Sequence, residues 1–319
     1  MLKEGELIGR IRTAFSGEAP DLILGIGDDT AVVRGLHGYT LYTKDLLIED
    51  VHFLRHAHPP RLLGKKSLNV NLSDIAAMGG VPRYALLGLG CPQELETDWL
   101  EAFLDGFRDA AEAATVLLIG GDVARSEKIT VSVTAVGEAE RYVTRGGAHP
   151  RDGLYVSGTP GDSGQGLELL KKGFQPGDDP DADSLLLAHL DPTPRLVLGE
   201  ELGSRAIASA MIDLSDGPAV DLSHICEASG CGAVIESRLL PLSEALRRFQ
   251  TEAVFMALHG GEDYELLFTV SPDKEKKLDS LRGTLPITRI GRMIKEPGVF
   301  LEVDGERRPL KPAGFSHFE

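Results

Sequence analysis

The chain has 319 residues, of which 42% are hydrophobic, and this length predicts two domains of about 150 residues each. Its formal net charge of −16 argues against nucleic acid or an anionic membrane surface as a partner, because both demand basic patches. No apolar run approaches the ~20 residues of a membrane span, the N-terminus lacks a signal-peptide pattern, and three sparse cysteines favour a reducing cytoplasm.

Apolar spacing predicts the elements of the first half of the chain. The expected helices cover residues 5–15, 61–78 and 98–114, with Asp98 as the cap of the third. The expected strands cover residues 40–43, 116–119 and 129–136. The second is expected to be buried, and in the third apolar and polar residues alternate. The periodic pattern then breaks within residues 138–152, which predicts an N-terminal domain over residues 1–145 and a C-terminal domain over residues 146–319.

The second half reads as a further α/β unit. A strand at 154–156, a glycine-rich loop at 157–164 and a helix at 165–172 open it, and residues 173–194 read as irregular because they are rich in Pro, Gly and Asp. Later helices are expected near 195–209, 219–229 and 242–250. Later strands are expected at 233–236, 264–270, 287–291 and 299–303.

Aspartates recur in short turns bounded by glycine or serine, directly after apolar runs. These turns lie at residues 25–29, 43–45, 71–74, 120–122, 213–217 and 260–263. Oxygen ligands from several turns are what Mg²⁺ prefers, and Mg²⁺ usually binds together with phosphates. The pattern therefore predicts an enzyme that depends on Mg²⁺ and ATP and acts on a phosphorylated small molecule, although each aspartate alone could be a helix cap or turn residue.

Other motifs leave two interpretations open. The glycine-rich loop 158–166 could cradle an anion or be a turn without a ligand, and it is not a Walker A loop. Arg145 could bind phosphate in a bidentate manner or be a solvated surface residue. His52 could belong to a functional site or to the core. Asp74 precedes Asp122 by 48 residues and Asp216 precedes Asp263 by 47 residues, a spacing that a duplication or chance would explain.

Eight strings in order resemble the thiamine-monophosphate kinase family, within the aminoimidazole ribonucleotide synthetase superfamily. They are GIGDD, Asp45 with VHF, NLSDIAAMG, IGGD, TRGGA, SGTPGDSGQGL, IDLSDG and GGEDYEL, and the match runs over residues 4–318. The resemblance implies a two-domain α/β (α+β layered) fold whose N-terminal domains pair in a homodimer, with ATP in a groove. It also implies transfer of the γ-phosphoryl of ATP to thiamine monophosphate, with thiamine diphosphate and ADP as products.

By motif position, the resemblance also implies roles for single residues. The implied Mg²⁺ ligands are Asp29, Thr43, Asp45, Asp74, Asp122, Asp213 and Asp216, of which Asp45, Asp122 and Asp213 would be catalytic. The implied nucleotide contacts are Gly121, Asp122, Arg145 and Ser215. The implied contacts to thiamine are His52, Glu262 and Phe315, with Phe318 as the alternative to Phe315. Lys44 departs from the family, which often carries a hydroxyl residue there, because a lysine offers no oxygen to Mg²⁺.

Related activities fit the sequence less well. Selenophosphate synthetase would need a reactive residue in the N-terminal stretch, but no cysteine precedes Cys91. The hydrogenase maturation factor would need a C-terminal cysteine, whereas this chain ends in Phe318-Glu319. The ring-closing purine enzyme is a more distant alternative. A non-catalytic acidic metal-binding protein would bind divalent cations without transferring a phosphoryl group.

Overall fold

The computed structural model describes residues 20–24, 28–35, 38–282 and 286–311, and the structural statements below concern these residues. The helix expected over 5–15, Phe315 and Phe318 lie outside them. Among the described residues, six strands form an N-terminal sheet in the order β1-β2-β3-β6-β4-β5. They are β1 (Leu22–Leu24), β2 (Ala31–Gly35), β3 (Gly38–Ile48), β4 (Val81–Cys91), β5 (Leu117–Arg125) and β6 (Thr130–Ala139).

Two helices, α1 (Pro60–Ala77) and α2 (Thr97–Ala113), accompany this sheet. Pro60 occupies the first turn of α1, where its fixed φ suits a helix start and its missing N–H has no partner to lose. Leu41 of β3, Leu72 of α1 and Phe103 of α2 are fully buried in one core. Because α1 covers the inner face of the sheet, the opposite, outer face stays open, as the alternating burial of β3 shows.

A C-terminal sheet of seven strands follows, in the order β13-β12-β9-β11-β7-β10-β8 among the described residues. Its strands are β7 (Gly153–Ser157), β8 (Ala208–Asp213), β9 (Gly232–Glu236), β10 (Leu266–Val270), β11 (Ile287–Ile294), β12 (Gly298–Val303) and β13 (Glu306–Pro309). Its helices are α3 (Asp162–Lys171), α4 (Pro180–Leu190), α5 (Leu196–Ser204), α6 (Pro218–Ser229), α7 (Glu244–Phe249), α8 (Ala253–His259) and α9 (Glu275–Arg282). Both sheets are mixed, since β4 pairs parallel with β5 and β9 pairs parallel with β12.

Helix α1 joins the two halves. It packs on the N-terminal sheet, on β8 and on α5. The approach to α5 is so close that a Cβ at Gly199 would lie 2.2 Å from the Ala76 carbonyl oxygen, so glycine is required there. The C-terminal turns of α1 therefore lie against the end of β8, where the candidate site forms.

Most expected elements are confirmed, and the exceptions have physical reasons. Residues 173–194 are not irregular, since α4 begins there with the Asp179 side chain accepting from the N–H groups of Asp181 and Ala182. Asp98 is not a cap but lies in the first turn of α2, where its charge suits the helix dipole. The strand expected as buried at 116–119 is instead the exposed edge strand β5, with Leu117 62% exposed. The expected helix 195–209 ends at Ser204, and its last residues belong instead to strand β8, which was not expected. The elements β1, β2, β4, α8, α9 and β13 also have no counterpart among the expected elements.

The repeated acidic strings do not mark a repeated local structure. Residues 72–74 lie within α1, whereas residues 214–216 form the turn after β8. Residues 120–122 lie within β5, whereas residues 260–263 form the loop before β10. Their similar spacing therefore does not correspond to equivalent elements. No helix in the described ranges is long and apolar enough to cross a membrane.

Candidate active site

Three carboxylates meet where the two halves join. Asp29 precedes β2, Asp74 lies near the end of α1 and Asp213 is the last residue of β8, and one oxygen of each lies within 4.8 Å of the others. Only 1% of the Asp29 side chain is exposed. Like charges this close raise one another's pKa unless a cation lies among them. A set of hard carboxylate oxygens suits Mg²⁺, so these residues fit the ion that the sequence predicts.

The pKa values of this acidic cluster are raised by burial and by mutual repulsion. Burial, with the negative charge of Asp29 next, raises the pKa of Asp213 to about 7. Burial also raises the pKa of Asp74 well above 3.8, and the charges of Asp45, Asp213 and Asp29 raise it further. A cation bound among these carboxylates would therefore have to displace protons.

Strand β3 adds Thr43 and Asp45 to the edge of the cluster. The Thr43 hydroxyl donates to Asp74 Oδ2 at 2.5 Å. Burial raises the pKa of Asp45 to about 6, and its charge acts on Asp74. The Asp45 N–H donates to Asn71 Oδ1 at 3.0 Å, so a side chain of α1 fixes the position of β3. Asn71 is not among the predicted site residues, although it lies inside the NLSD string.

Arg145 neutralises one of the three carboxylates. Its Nη2 donates to Asp29 Oδ1 at 2.7 Å and its Nε donates to Asp29 Oδ2 at 3.2 Å, a bidentate pair. Asp28 holds the turn instead, since its carboxylate accepts from the N–H of Asp29 at 3.0 Å and from the N–H of Arg145 at 3.3 Å. The guanidinium thus lies beside the cluster, where it could exchange Asp29 for a phosphate.

Asp122 lies on the opposite side of the N-terminal sheet. It pairs with Gly88, Gly88 pairs with Ser132, and Ser132 pairs with Leu46, so these residues share the outer face. Asp45, the neighbour of Leu46, faces inward. Lys44 also lies on the outer face, where its Nζ donates to the Ser132 hydroxyl. The structure therefore brings Asp29, Asp45, Asp74 and Asp213 together but leaves Asp122 apart from them.

Gly121 has a packing reason to be glycine. A Cβ at this position would lie 1.9 Å from the Leu87 carbonyl oxygen, closer than any side chain allows.

His52, in the turn after β3, accepts at Nδ1 from the Ile48 N–H at 3.1 Å. A neutral His52 ring therefore carries its proton on Nε2.

Ser215, Asp216 and Glu262 lie on two adjacent loops at the end of the C-terminal sheet. The Glu262 N–H donates to the Ser215 carbonyl oxygen at 2.7 Å, and the Ser215 residue is exposed. The Asp216 N–H donates to Asp221 Oδ2 at 3.2 Å. Asp221, which the sequence analysis missed, is a buried acid of α6 whose pKa is raised well above 3.8, mainly by burial. A buried acid four residues after a glycine-ended turn is the signal that would have identified it.

The glycine-rich loop already binds an internal carboxyl group. The N–H groups of Gly161 and Ser163 donate to the Asp263 carboxylate at 2.7 and 3.0 Å. Helix α3 consequently begins at Asp162, three residues before the expected start. The interpretation of this loop as a cradle for an external anion is therefore wrong for these two N–H groups.

A second group of polar residues lies behind Glu262. The fully buried ammonium of Lys66 is 3.3 Å from Glu262 Oε1, and His189 Nδ1 is 3.4 Å from Glu262 Oε2. The sequence analysis missed Lys66 and His189. The signal for Lys66 was a charged residue on an otherwise apolar helix side, two turns before Ser73.

Comparison with known proteins shows what this site is similar to. The chain matches the family model "AIR synthase related protein, N-terminal domain" over residues 27–139 and its C-terminal counterpart over residues 150–304. It is 42% identical to the thiamine-monophosphate kinase of Escherichia coli strain K12, over 99% of this chain and 98% of the relative. It is 40% identical to the thiamine-monophosphate kinase of Aquifex aeolicus, over 92% of each chain.

Solved structures show the same similarity. AaThiL complexed with AMPPCP and TMP superposes with a TM-score of 0.90 at 38% identity, over 99% of this chain and 97% of that one. The thiamine-monophosphate kinase of Stenotrophomonas maltophilia K279a has a TM-score of 0.79 at 41% identity, over 96% of this chain and 98% of that one. The two-domain architecture expected from the resemblance is therefore confirmed.

Proposed function

The chain belongs to the family of thiamine-monophosphate kinases, and we propose that it transfers the γ-phosphoryl group of ATP to thiamine monophosphate, giving thiamine diphosphate and ADP. The observation that carries the proposal is the meeting of Asp29, Asp74 and Asp213 beside Arg145 at the junction of the two halves. The similarity to AaThiL, which was solved with an ATP analogue and TMP, supports the same pair of substrates.

The proposed reaction needs neutralisation of the negative charge on its two substrates more than it needs a catalytic base. The acceptor is a phosphate monoester with a second pKa of about 6, so it is largely a dianion at neutral pH and needs no deprotonation. The difficulty is the approach of one polyanion to another, which makes positioning and charge neutralisation the main contributions. Bound Mg²⁺ would supply positive charge to the phosphates. Within the chain, Asp29, Asp74 and Asp213 would hold it, with Thr43 and Asp45 beside them.

The other residues fall into three proposed groups. Arg145, Gly121 and Ser215 would contact the nucleotide, and Arg145 is the residue with a fork suited to phosphate oxygens. His52, Glu262 and Phe315 would contact thiamine monophosphate. Asp122 and Asp216 would bind further metal ions. The division into residues 1–145, for metal, ATP and dimerisation, and residues 146–319 is part of the same proposal.

The outer face of the N-terminal sheet supports the proposed homodimer. Register places Tyr42, Tyr84 and Leu117 in one row across this face, and all three are exposed, as is neighbouring Leu86. An exposed apolar sheet face next to an open edge strand is typical of an interface between chains. Pairing of two such faces would also cover Lys44 and Asp122, and it would give Asp122 a route to a site at the interface.

Charge on this outer face is expected to separate the proposed dimer. The double substitution Tyr84→Glu and Leu86→Glu places like charges opposite each other in the paired faces, so the mass in light scattering should fall to that of one chain. Transfer activity should fall at least about tenfold if Asp122 acts across the interface. Leu187→Glu, at an exposed position of α4, is the matched control and should leave mass and activity unchanged. An unchanged mass in the double variant would contradict this interface.

The compartment is also a proposal. All three cysteines, Cys91, Cys226 and Cys231, are free thiols. Burial raises the pKa of the Cys226 thiol to about 12, so it stays protonated and unreactive. Free thiols are typical of a reducing environment, which supports the cytoplasm.

A product assay tests the proposed function directly. The purified protein is incubated with Mg²⁺, ATP and thiamine monophosphate, and thiamine diphosphate and ADP are separated by chromatography. Equal amounts of both products are expected. Asp45→Asn should abolish both products while thermal melting stays cooperative. ATP left intact, or split without thiamine diphosphate, would contradict the proposed substrate.

A further inference from the structure

Lys66 carries a charge into the interior of the protein. It lies in the middle of α1, none of its side chain is exposed, and its Nζ donates to the His189 carbonyl oxygen at 2.9 Å. Burial lowers the pKa of this ammonium, whereas the nearby charge of Glu262 raises it. A buried ammonium is costly unless it is paired and hydrogen-bonded, so the position of Lys66 depends on these two acceptors.

Glu262 extends from this interior to the cleft. Its side chain is 26% exposed, so the carboxylate that meets Lys66 also reaches the surface on which Ser215 lies. Its φ of +63° lies in the left-handed region, which a residue with a side chain rarely adopts. The Ser215 carbonyl oxygen holds its N–H at 2.7 Å. Such strain persists only where the surroundings hold it in place, and Lys66 and His189 do so at the carboxylate end.

The orientation of the Glu262 carboxylate has two supports of different kinds. Oε1 faces the Lys66 ammonium, and Oε2 faces His189 Nδ1. Burial lowers the pKa of His189 well below 6.5, so its ring is neutral and contributes no charge. Among the described residues, the cation that contacts Glu262 is therefore Lys66. If Lys66 served only to fill space, an apolar side chain would suffice at this point of α1. A buried ion pair is rarely more stabilising than well-packed hydrophobic residues of similar volume.

We propose that Lys66 is a positioning residue for the acceptor substrate, because its ammonium fixes the Glu262 carboxylate in the orientation that receives the thiamine part of thiamine monophosphate. This inference rests on the proposed function, in which Glu262 contacts that substrate. The thiamine part offers an amino group and a cationic ring, and a fixed carboxylate suits both. Lys66 lies on the same helix as Asp74, so α1 sets the distance between the metal cluster and the acceptor contact.

Lys66→Gln separates this role from a structural one. Glutamine keeps an N–H donor for the His189 carbonyl oxygen but removes the charge from Glu262. The KM for thiamine monophosphate is expected to rise by about tenfold or more, and the KM for ATP to stay within about twofold. Calorimetric titration of thiamine monophosphate without ATP should show the same loss of affinity. The control is Lys65→Gln, since Lys65 is partly exposed and pairs with Asp191 at 2.9 Å. It should change neither constant.

A double-variant cycle tests whether Lys66 acts through Glu262. Glu262→Gln alone should raise the KM for thiamine monophosphate, and adding Lys66→Gln should raise it no further. The double variant removes both charges and leaves no buried ion unpaired, so it remains testable if Lys66→Gln does not fold. Additive effects would overturn the proposal, as would a lower melting temperature in Lys66→Gln with unchanged affinity for thiamine monophosphate. A wild-type protein that neither binds nor converts thiamine monophosphate would contradict the proposed function instead.

Discussion

Asp213→Asn is expected to make the metal-free protein more resistant to heat and to abolish phosphoryl transfer. Asp213 is buried, and one of its oxygens lies within 4.8 Å of oxygens of Asp29 and Asp74. A rise of its pKa from 3.8 to about 7 corresponds to a cost of about 4 kcal/mol for the ionised folded chain. An amide keeps the shape and removes the charge, so it relieves this cost. The same change removes a metal ligand, which explains the loss of activity.

The direction in which Asp213 changes stability with pH follows from how many protons the folded and unfolded chains bind. Below pH ~4 both the folded and the unfolded chain carry the proton on Asp213, so the group favours neither state. Between pH ~4 and ~7 only the folded chain keeps the proton, because its pKa is raised, and stability therefore falls as pH rises. Above pH ~7 the full cost is present. The stabilising effect of Asp213→Asn should thus be large at pH 8 and nearly absent at pH 4.

Thermal melting with and without Mg²⁺ measures both parts of this prediction. Wild-type protein should gain melting temperature on addition of Mg²⁺ at pH 8, because the ion binds only the folded cluster. Asp213→Asn should start higher and gain little. Glu101→Gln, an exposed acid on α2, is the matched control and should behave as wild type. A lower melting temperature for metal-free Asp213→Asn at pH 8 would show that the carboxylate does not strain the fold.

Local signals explain why much of the acidic cluster could be predicted. Asp213 follows an apolar run and Asp74 lies within the predicted helix 61–78, and both patterns are visible within ten residues, although strand β8 itself was not predicted. Asp28 and Asp29 follow a glycine-rich string in the sequence, and in the structure the Asp28 carboxylate holds the backbone while the Asp29 carboxylate enters the cluster. For these residues, an acid directly after an apolar run is enough to predict a carboxylate at the edge of a core, although Asp74 lies within α1 and Asp213 ends β8, so neither occupies the expected turn.

The remaining residues depend on contacts between distant segments. Which face of the sheet Asp122 takes is set by its register through Gly88 to Ser132, and a strand read alone contains no information about register. The glycine-rich loop looked open to an anion because its partner, Asp263, lies about a hundred residues later. The role of Lys66 becomes visible only through its contact with Glu262, which is distant in the sequence. Pairing across such separations is a property of the packed chain, so composition and spacing do not reveal it.

Arg145→Lys is expected to change nucleotide and metal binding in opposite directions. Arg145 holds both oxygens of Asp29 with two N–H groups, at 2.7 and 3.2 Å, and a lysine offers a single point charge instead of this fork. The KM for ATP should rise by about tenfold or more, because bidentate contact with phosphate is lost. In the absence of nucleotide, Mg²⁺ affinity should rise severalfold, because Asp29 is held less firmly by its cationic partner.

The two effects together identify an exchange of partners at Asp29. If Arg145 only anchored the fold, its replacement would weaken Mg²⁺ binding and ATP binding alike, because the cluster would lose its geometry. If Arg145 only bound phosphate, Mg²⁺ affinity without nucleotide would not change. Calorimetric titration of Mg²⁺ and steady-state kinetics in ATP separate these outcomes, and exposed Arg141→Lys is the control that should alter neither. A higher KM for ATP together with a higher Mg²⁺ affinity would leave one explanation: the guanidinium holds Asp29 until ATP draws it to phosphate. This exchange frees the Asp29 carboxylate for Mg²⁺ and so couples the binding of ATP to the binding of Mg²⁺.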